Sequence, residues 1–113
     1  MKARREFRVV LVTCRSMAEG RKIARAVVSR RLAACVNLMR SPVESVYNWK
    51  CNAETAREYF LLIKTTRQRL AELQKEVRRL HSYEVPEFVA LPIVAGSAEY
   101  LTWLQESVAV RKR

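Results

Sequence analysis

The chain has 113 residues, half of them hydrophobic, with two glycines and three prolines. That is the size and composition of one folded domain, too short for a second core and without a low-complexity linker. It carries 22 lysines and arginines against 11 acidic residues, a net charge of +11, which attracts anions: nucleic acid, phosphate-bearing ligands, acidic membranes or acidic proteins. The positive charges are scattered rather than blocked, as on a solvated basic surface.

The longest apolar runs, Val9 to Val12 and Phe88 to Ala95, fall well short of the ~20 residues a spanning helix requires. The basic start (Lys2, Arg4, Arg5) is followed by too short an apolar run for an export signal, so the expected location is cytoplasmic, with no membrane partner. Cys14, Cys35 and Cys51 are an odd set without CxxC spacing. They suggest neither a disulfide framework nor a zinc knuckle, and free thiols suit a reducing compartment.

In chain order, Phe7 to Cys14 is β-branched and apolar and reads as a central strand. Ser16 is a helix N-cap, with Glu19 three residues on completing a capping box. From Met17 to Leu32 the residues Ile23, Ala24, Val27, Val28 and Leu32 recur at helical spacing, and Arg21, Lys22, Arg25 and Arg30 take the opposite face. Ala33 to Trp49 reads as a second strand interrupted near Arg40-Ser41-Pro42. Asn52 to Thr55 is polar and turn-like, and Glu58 to Thr66 forms a third strand, closing a long hairpin.

Thr66 is placed to cap a second helix, Arg67 to Leu80, with the stripe Leu70, Leu73, Val77 and Leu80. His81 to Glu87 is a loop. Phe88 to Ala95 is a fourth strand, which Pro92 assigns to a sheet edge or a bulge. Ser97 caps a last helix, Ala98 to Ser107, and Arg111 to Arg113 is expected to fray. The order βαββαβ plus a terminal helix predicts an α+β, ferredoxin-like domain with a core over residues 6–108 and a basic tail at 109–113. Two crossover helices on one sheet face leave the other uncovered. With Tyr47, Trp49, Tyr59 and Phe60 on the strands, partner chains are expected to bury that face.

His81 is the only histidine. Its loop concentrates an imidazole, a phenol (Tyr83) and two carboxylates (Glu84, Glu87), a set able to hold a hard or borderline metal or to move a proton, or else a purely structural one. No Ser/His/Asp order or HExxH motif is present. Cys14 stands at the end of a strand, beside a helix N-terminus and Arg15, which would favour a thiolate and a soft-metal or redox role. Its alternative is a semi-buried apolar cysteine. Cys35 is expected in the core and Cys51 exposed near the hairpin tip. Lys64, at a strand end, either reaches an anion in a cleft or snorkels to the surface.

Several segments in order, VLVTC at 10–14, IARAVVSRRLAACVNL at 23–38, SVYNW at 45–49, LLIKT at 61–65, HSYEVPE at 81–87, ALPI at 90–93 and YLTWL at 100–104, together resemble the CutA family over nearly the whole chain. The resemblance implies a ferredoxin-like fold packed as a tight homotrimer, a link to tolerance of divalent cations, chiefly copper, and an architecture similar to PII signalling proteins. The family's recurrent polar and aromatic positions match Tyr47, Trp49, Glu58, Lys64, Thr65, His81, Tyr83, Glu84 and Glu87. Departures are Cys51 and Asn52 where the family carries Gly-Lys, Ser82 and Arg15 in place of prolines, and a longer link at Arg40-Ser41-Pro42.

The leading expectation is therefore a non-enzymatic trimer concerned with divalent metal tolerance. Its candidate metal ligands are His81, Glu84, Glu87 and Cys14, for Cu(II) or another divalent cation, with no cofactor required. A PII-like sensor or interaction module is the alternative, holding a small anionic ligand or protein partner at an inter-subunit cleft through Tyr47, Trp49, Glu58, Lys64, Thr65 and Tyr83. RNA recognition shares the βαββαβ order, but the strand EYFLLIKT lacks the glycine and basic start of an RNA-binding strand, so nucleic acid is not an expected partner.

Overall fold

The computed structural model describes residues 6–110; the basic residues expected at either extremity (Lys2, Arg4, Arg5 and 111–113) lie outside the described residues. Strand β1 (Phe7–Cys14) turns its even positions inward: Val10, Val12 and Cys14 are fully buried. Helix α1 (Met17–Ser29) begins at Ser16, whose Oγ accepts the backbone N–H of Glu19 at 3.1 Å. It stops earlier than the apolar stripe predicts. Arg31 takes a left-handed conformation (φ 59°), Arg31 N–H bonds to Val28 O and Leu32 N–H to Val27 O. This is a Schellman closure with arginine in the position glycine usually takes. Leu32 then drops into the core from outside the helix.

The predicted second strand is split where Pro42 stands, into β2 (Cys35–Leu38) and β3 (Val43–Trp49). Both pair with one long strand, β4 (Asn52–Thr66). Between Leu38↔Leu61 and Val43↔Glu58, the β2–β3 side advances five residues and β4 three. The two extra residues form a bulge that re-aims the distal ribbon. Asn52 to Thr55 is not a turn: it is strand, paired with Val46 to Trp49. The turn is Lys50-Cys51, both with positive φ (51° and 69°), as a two-residue type I′ hairpin requires. The paired ribbon projects from the body, and the chain measures 46 × 28 × 25 Å.

Helix α2 (Leu70–Leu80) follows a 3₁₀ turn over Arg67–Arg69, and Thr66 makes no side-chain cap bond there. Strand β5 (Val89–Pro92) is shorter than predicted and pairs with β1 alone, at the sheet edge where Pro92 lacks a ladder donor to lose. Helix α3 (Ala98–Val108) is capped by Ser97, whose Oγ accepts Tyr100 N–H. The result, among the described residues, is a mixed α+β architecture: a sheet in the order β2-β4-β1-β5, with β3 paired to β4, antiparallel at every pairing, and three α-helices.

Two apolar clusters hold it. The larger joins Val10, Val12, Leu61 and Ile63 to Ile23 and Val27 of α1 and Leu73 and Val77 of α2. The smaller joins Phe7 and Ala34 to Leu101, Leu104 and Val108 of α3. Phe7 points away from Val10 and Val12 by strand alternation, so α3 covers one end of the face expected to be bare. The rest of that face carries Val9, Leu11 and Leu62, half-buried, and Val89 and Leu91, exposed. Cys35 lies half-buried rather than in the core, because its register opposite Lys64 sets it on this face.

A cleft over a buried histidine

The end of β1 is where the chemistry gathers. Cys14 pairs with Tyr59 at the last step of the β1–β4 ladder, and the N-cap of α1, Ser16, comes two residues later. The loop after α2 returns to the same place. His81 is its first residue and is buried; its Nε2 lies 2.7 Å from the carbonyl oxygen of Thr13 and 3.8 Å from Cys14 Sγ. A carbonyl can only accept, so the Nε2 proton is fixed there. On the other side of the ring, Nδ1 accepts Tyr83 N–H at 3.1 Å and stands 3.2 Å from Glu19 Oε2. The Glu19 carboxylate also accepts Ser82 N–H, so it serves the His81 loop that passes over α1.

Cys14, Glu19 and His81 thus form a compact group whose candidate ligand atoms all lie within 4.8 Å of one another. A thiol, a carboxylate and an imidazole are donors suited to a borderline divalent cation. Glu19 had no place in the expected ligand set, because in sequence it reads as a capping residue and its contact to His81 is long-range. Of the two readings of Cys14, a thiolate or a buried apolar cysteine, the structure supports the second. Burial pushes the thiol up to about 12, and the Glu19 and Glu58 carboxylates push the same way; the helix start and Arg15 do not outweigh them.

Above this group opens a cavity of about 680 Å³, bounded by the end of β1 (Thr13), the ribbon (Ser45 to Tyr47, Trp49, Glu58) and the loop Ser82–Val85 with Glu87. Glu58 is buried, with the Tyr83 phenol beside it. Burial, the Glu58 bond and the Glu58 charge raise the Tyr83 phenol above its ordinary range. Burial and the Glu58 charge likewise raise Glu87, against a hydrogen bond from Thr13 that lowers it. The cleft therefore brings Tyr47, Trp49, Glu58, Tyr83, Glu84 and Glu87 together.

The remaining candidates lie elsewhere. Lys64 is half-buried on the open sheet face, opposite Val9 and Cys35. Thr65 is fully buried and donates its hydroxyl to Leu32 O at 2.7 Å, tying β4 to the end of α1. His81 sits beneath the cleft wall rather than in its lining, and Glu84 and Glu87 line the cleft rather than joining Cys14 and His81. Cys51 is exposed, at the ribbon tip. Among the described residues no helix is long and apolar enough to cross a membrane.

The family model of the CutA1 divalent ion tolerance protein matches residues 8–107. The divalent-cation tolerance protein CutA of Thermus thermophilus is 46% identical over 99 residues, covering 88% of this chain and 95% of that protein. The chloroplastic protein CutA of Arabidopsis thaliana is 43% identical over 99 residues, and this chain spans 54% of its length. Among solved structures, the Thermus thermophilus protein superimposes with a TM-score of 0.88 at 45% identity, covering 91% of this chain and 99% of that one. The periplasmic divalent cation tolerance protein CutA of Archaeoglobus fulgidus gives 0.86 at 35% identity, covering 90% and 98%. This chain belongs to the CutA1 divalent ion tolerance family.

Proposed function

We propose that this protein serves divalent-cation tolerance, copper included, by binding the cation directly at Cys14, Glu19 and His81, and that it does so as a cytoplasmic, non-enzymatic homotrimer of ferredoxin-like subunits. The observation that carries the reading is the convergence of those three donors, from a strand end, a helix start and a distant loop, within 4.8 Å of one another. When bound, the cation supplies a positive charge that replaces the thiol proton. Because that proton is held up to about 12, metal competes with it, and affinity is expected to climb as pH rises.

The trimer rests on the open sheet face, where Val89 and Leu91 are exposed beside Val9, Leu11 and Leu62. Identical subunits meeting through one apolar face around a closed axis would cover it. An anion-binding role for the cleft has little to support it, since the charged residues in its lining are carboxylates.

Titration with Zn(II), which brings no redox chemistry, and then with Cu(II), tests the metal site. Binding that Glu19→Gln and His81→Ala both weaken, and that tightens from pH 6 to pH 8, is the expected result. Unchanged binding in both variants would remove the group as a metal site. Sedimentation of the wild type and of Leu91→Asp tests the assembly: a trimer broken by the substitution is expected, and a wild-type 13.2 kDa monomer at micromolar concentration would end the proposal.

A further inference from the structure

The cleft has a chemistry opposite to that of the chain around it. Among the described residues its lining includes Glu58, Glu84 and Glu87 together with Tyr47, Trp49 and Tyr83, and no lysine or arginine, in a protein of 22 lysines and arginines and 11 acidic residues. Carboxylates beside aromatic faces are complementary to ammonium groups: the oxygens accept N–H bonds, and the ring quadrupoles attract positive charge. Trp49 already receives a cation of this kind, since Lys50 Nζ lies 5.7 Å from the centre of its ring. The Tyr83 phenol stands close enough to Glu58, and the Glu87 carboxyl to the Thr13 side chain, for its titration to be shifted by that neighbour. Each carboxylate has further acceptor positions for a ligand.

We propose that this cleft binds a small organic amine carrying more than one ammonium group, held between the Glu58, Glu84 and Glu87 carboxylates and the Tyr47, Trp49 and Tyr83 rings. A cavity of about 680 Å³ is the size of small-molecule sites, which run from roughly 300 to 1,000 Å³. The net charge sharpens the inference. A chain of charge +11 repels polycations at long range, so general electrostatic attraction cannot concentrate an amine here, and binding must come from the local site. The inference stands apart from the metal site below, which uses Cys14, Glu19 and His81.

Calorimetry on the full chain with spermidine as the probe, at moderate salt, tests it, with citrate and Mg(II) titrated in parallel. The expected result is saturable spermidine binding, weakened by roughly tenfold or more in Trp49→Leu and in the double variant Glu84→Gln/Glu87→Gln, and retained in Glu19→Gln, whose amide oxygen can still accept Ser82 N–H. Trp49 and Glu84 are exposed and Glu87 is half-buried, glutamine keeps the shape of the glutamate it replaces, and thermal unfolding checks that the variants stay folded. No saturable binding of spermidine, tighter binding of citrate or Mg(II), or spermidine binding indifferent to both cleft variants would each overturn the proposal.

Discussion

His81 Nε2 and the carbonyl oxygen of Thr13 are hydrogen-bonded at 2.7 Å, a contact that ties the loop after α2 to the end of the central strand. The same ring accepts Tyr83 N–H, so the imidazole positions the loop that walls the cleft. Losing it would leave a buried carbonyl unpartnered. His81→Ala is therefore expected to destabilise the apo protein by about 1–3 kcal/mol, measured by urea unfolding with chelator present. Unfolding curves that superimpose on the wild type would show that the ring holds nothing in place. This structural cost is why Glu19→Gln accompanies His81→Ala in the metal titration.

The thiols should separate by environment. Cys14 is fully buried with its thiol pushed up to about 12, whereas Cys51 is exposed at the ribbon tip. Thiolate is the reactive form. At pH 7.5 an aromatic disulfide reagent is expected to modify Cys51 on the order of a hundred times faster than Cys14, with Cys14 becoming reactive on unfolding. Peptide mapping of the labelled chain reads this out, and early labelling of Cys14 in the folded protein would contradict the burial.

Much of this was legible in sequence, and the misses have physical causes. The period-2 run of β1, the Ser16 and Ser97 caps and the edge place of Pro92 follow from local rules, and the structure has them. The ribbon turn was misplaced because Asn52 to Thr55 is polar, yet both faces of a projecting ribbon meet solvent, so polarity there does not signal a turn. Thr65, matched to the family's recurrent positions, spends its hydroxyl on Leu32 O inside the core. Of the two readings of Cys14, the structure supports the buried apolar one rather than the thiolate: the helix start and Arg15 are local signals, while the burial and the Glu58 carboxylate come from tertiary packing. Glu19 was seen only as a cap, since nothing local announces that His81 returns to it.

The Glu76 carboxylate, buried on α2, is held below its ordinary value of 4.5, first by its bond to Arg79 and then by the Arg30 and Arg79 charges, with burial opposing. The bonds are short: 2.6 Å to Arg30 and 2.8 Å to Arg79. With the folded value depressed, the unfolded chain takes up the proton first as pH falls. The contribution of Glu76 is thus fully present above 4.5 and is lost as pH drops through the lower folded value. Glu76→Gln is expected to lower the melting temperature at pH 7 and to show a shallower decline between pH 5 and pH 3. Parallel acid limbs for the two proteins would show that Glu76 is not linked to folding.

The ribbon turn places two non-glycine residues, Lys50 and Cys51, in the left-handed region, with Cys51 N–H bonded to Asn48 Oδ1 at 3.3 Å. Side chains with a Cβ are disfavoured there by roughly 1 kcal/mol or more each. Glycine has no such penalty, although it costs entropy in the unfolded chain. At Cys51 the strain term is the larger, because the second position of a type I′ turn is where glycine is most favoured. Cys51→Gly is therefore expected to stabilise the protein by about 0.5–1 kcal/mol, while Cys51→Val, β-branched in the same conformation, should destabilise it. Because the ribbon is exposed, neither change alters core packing, and urea unfolding of the two variants isolates the turn. A stability order with valine above glycine would mean that the ribbon does not hold Cys51 in this conformation in solution.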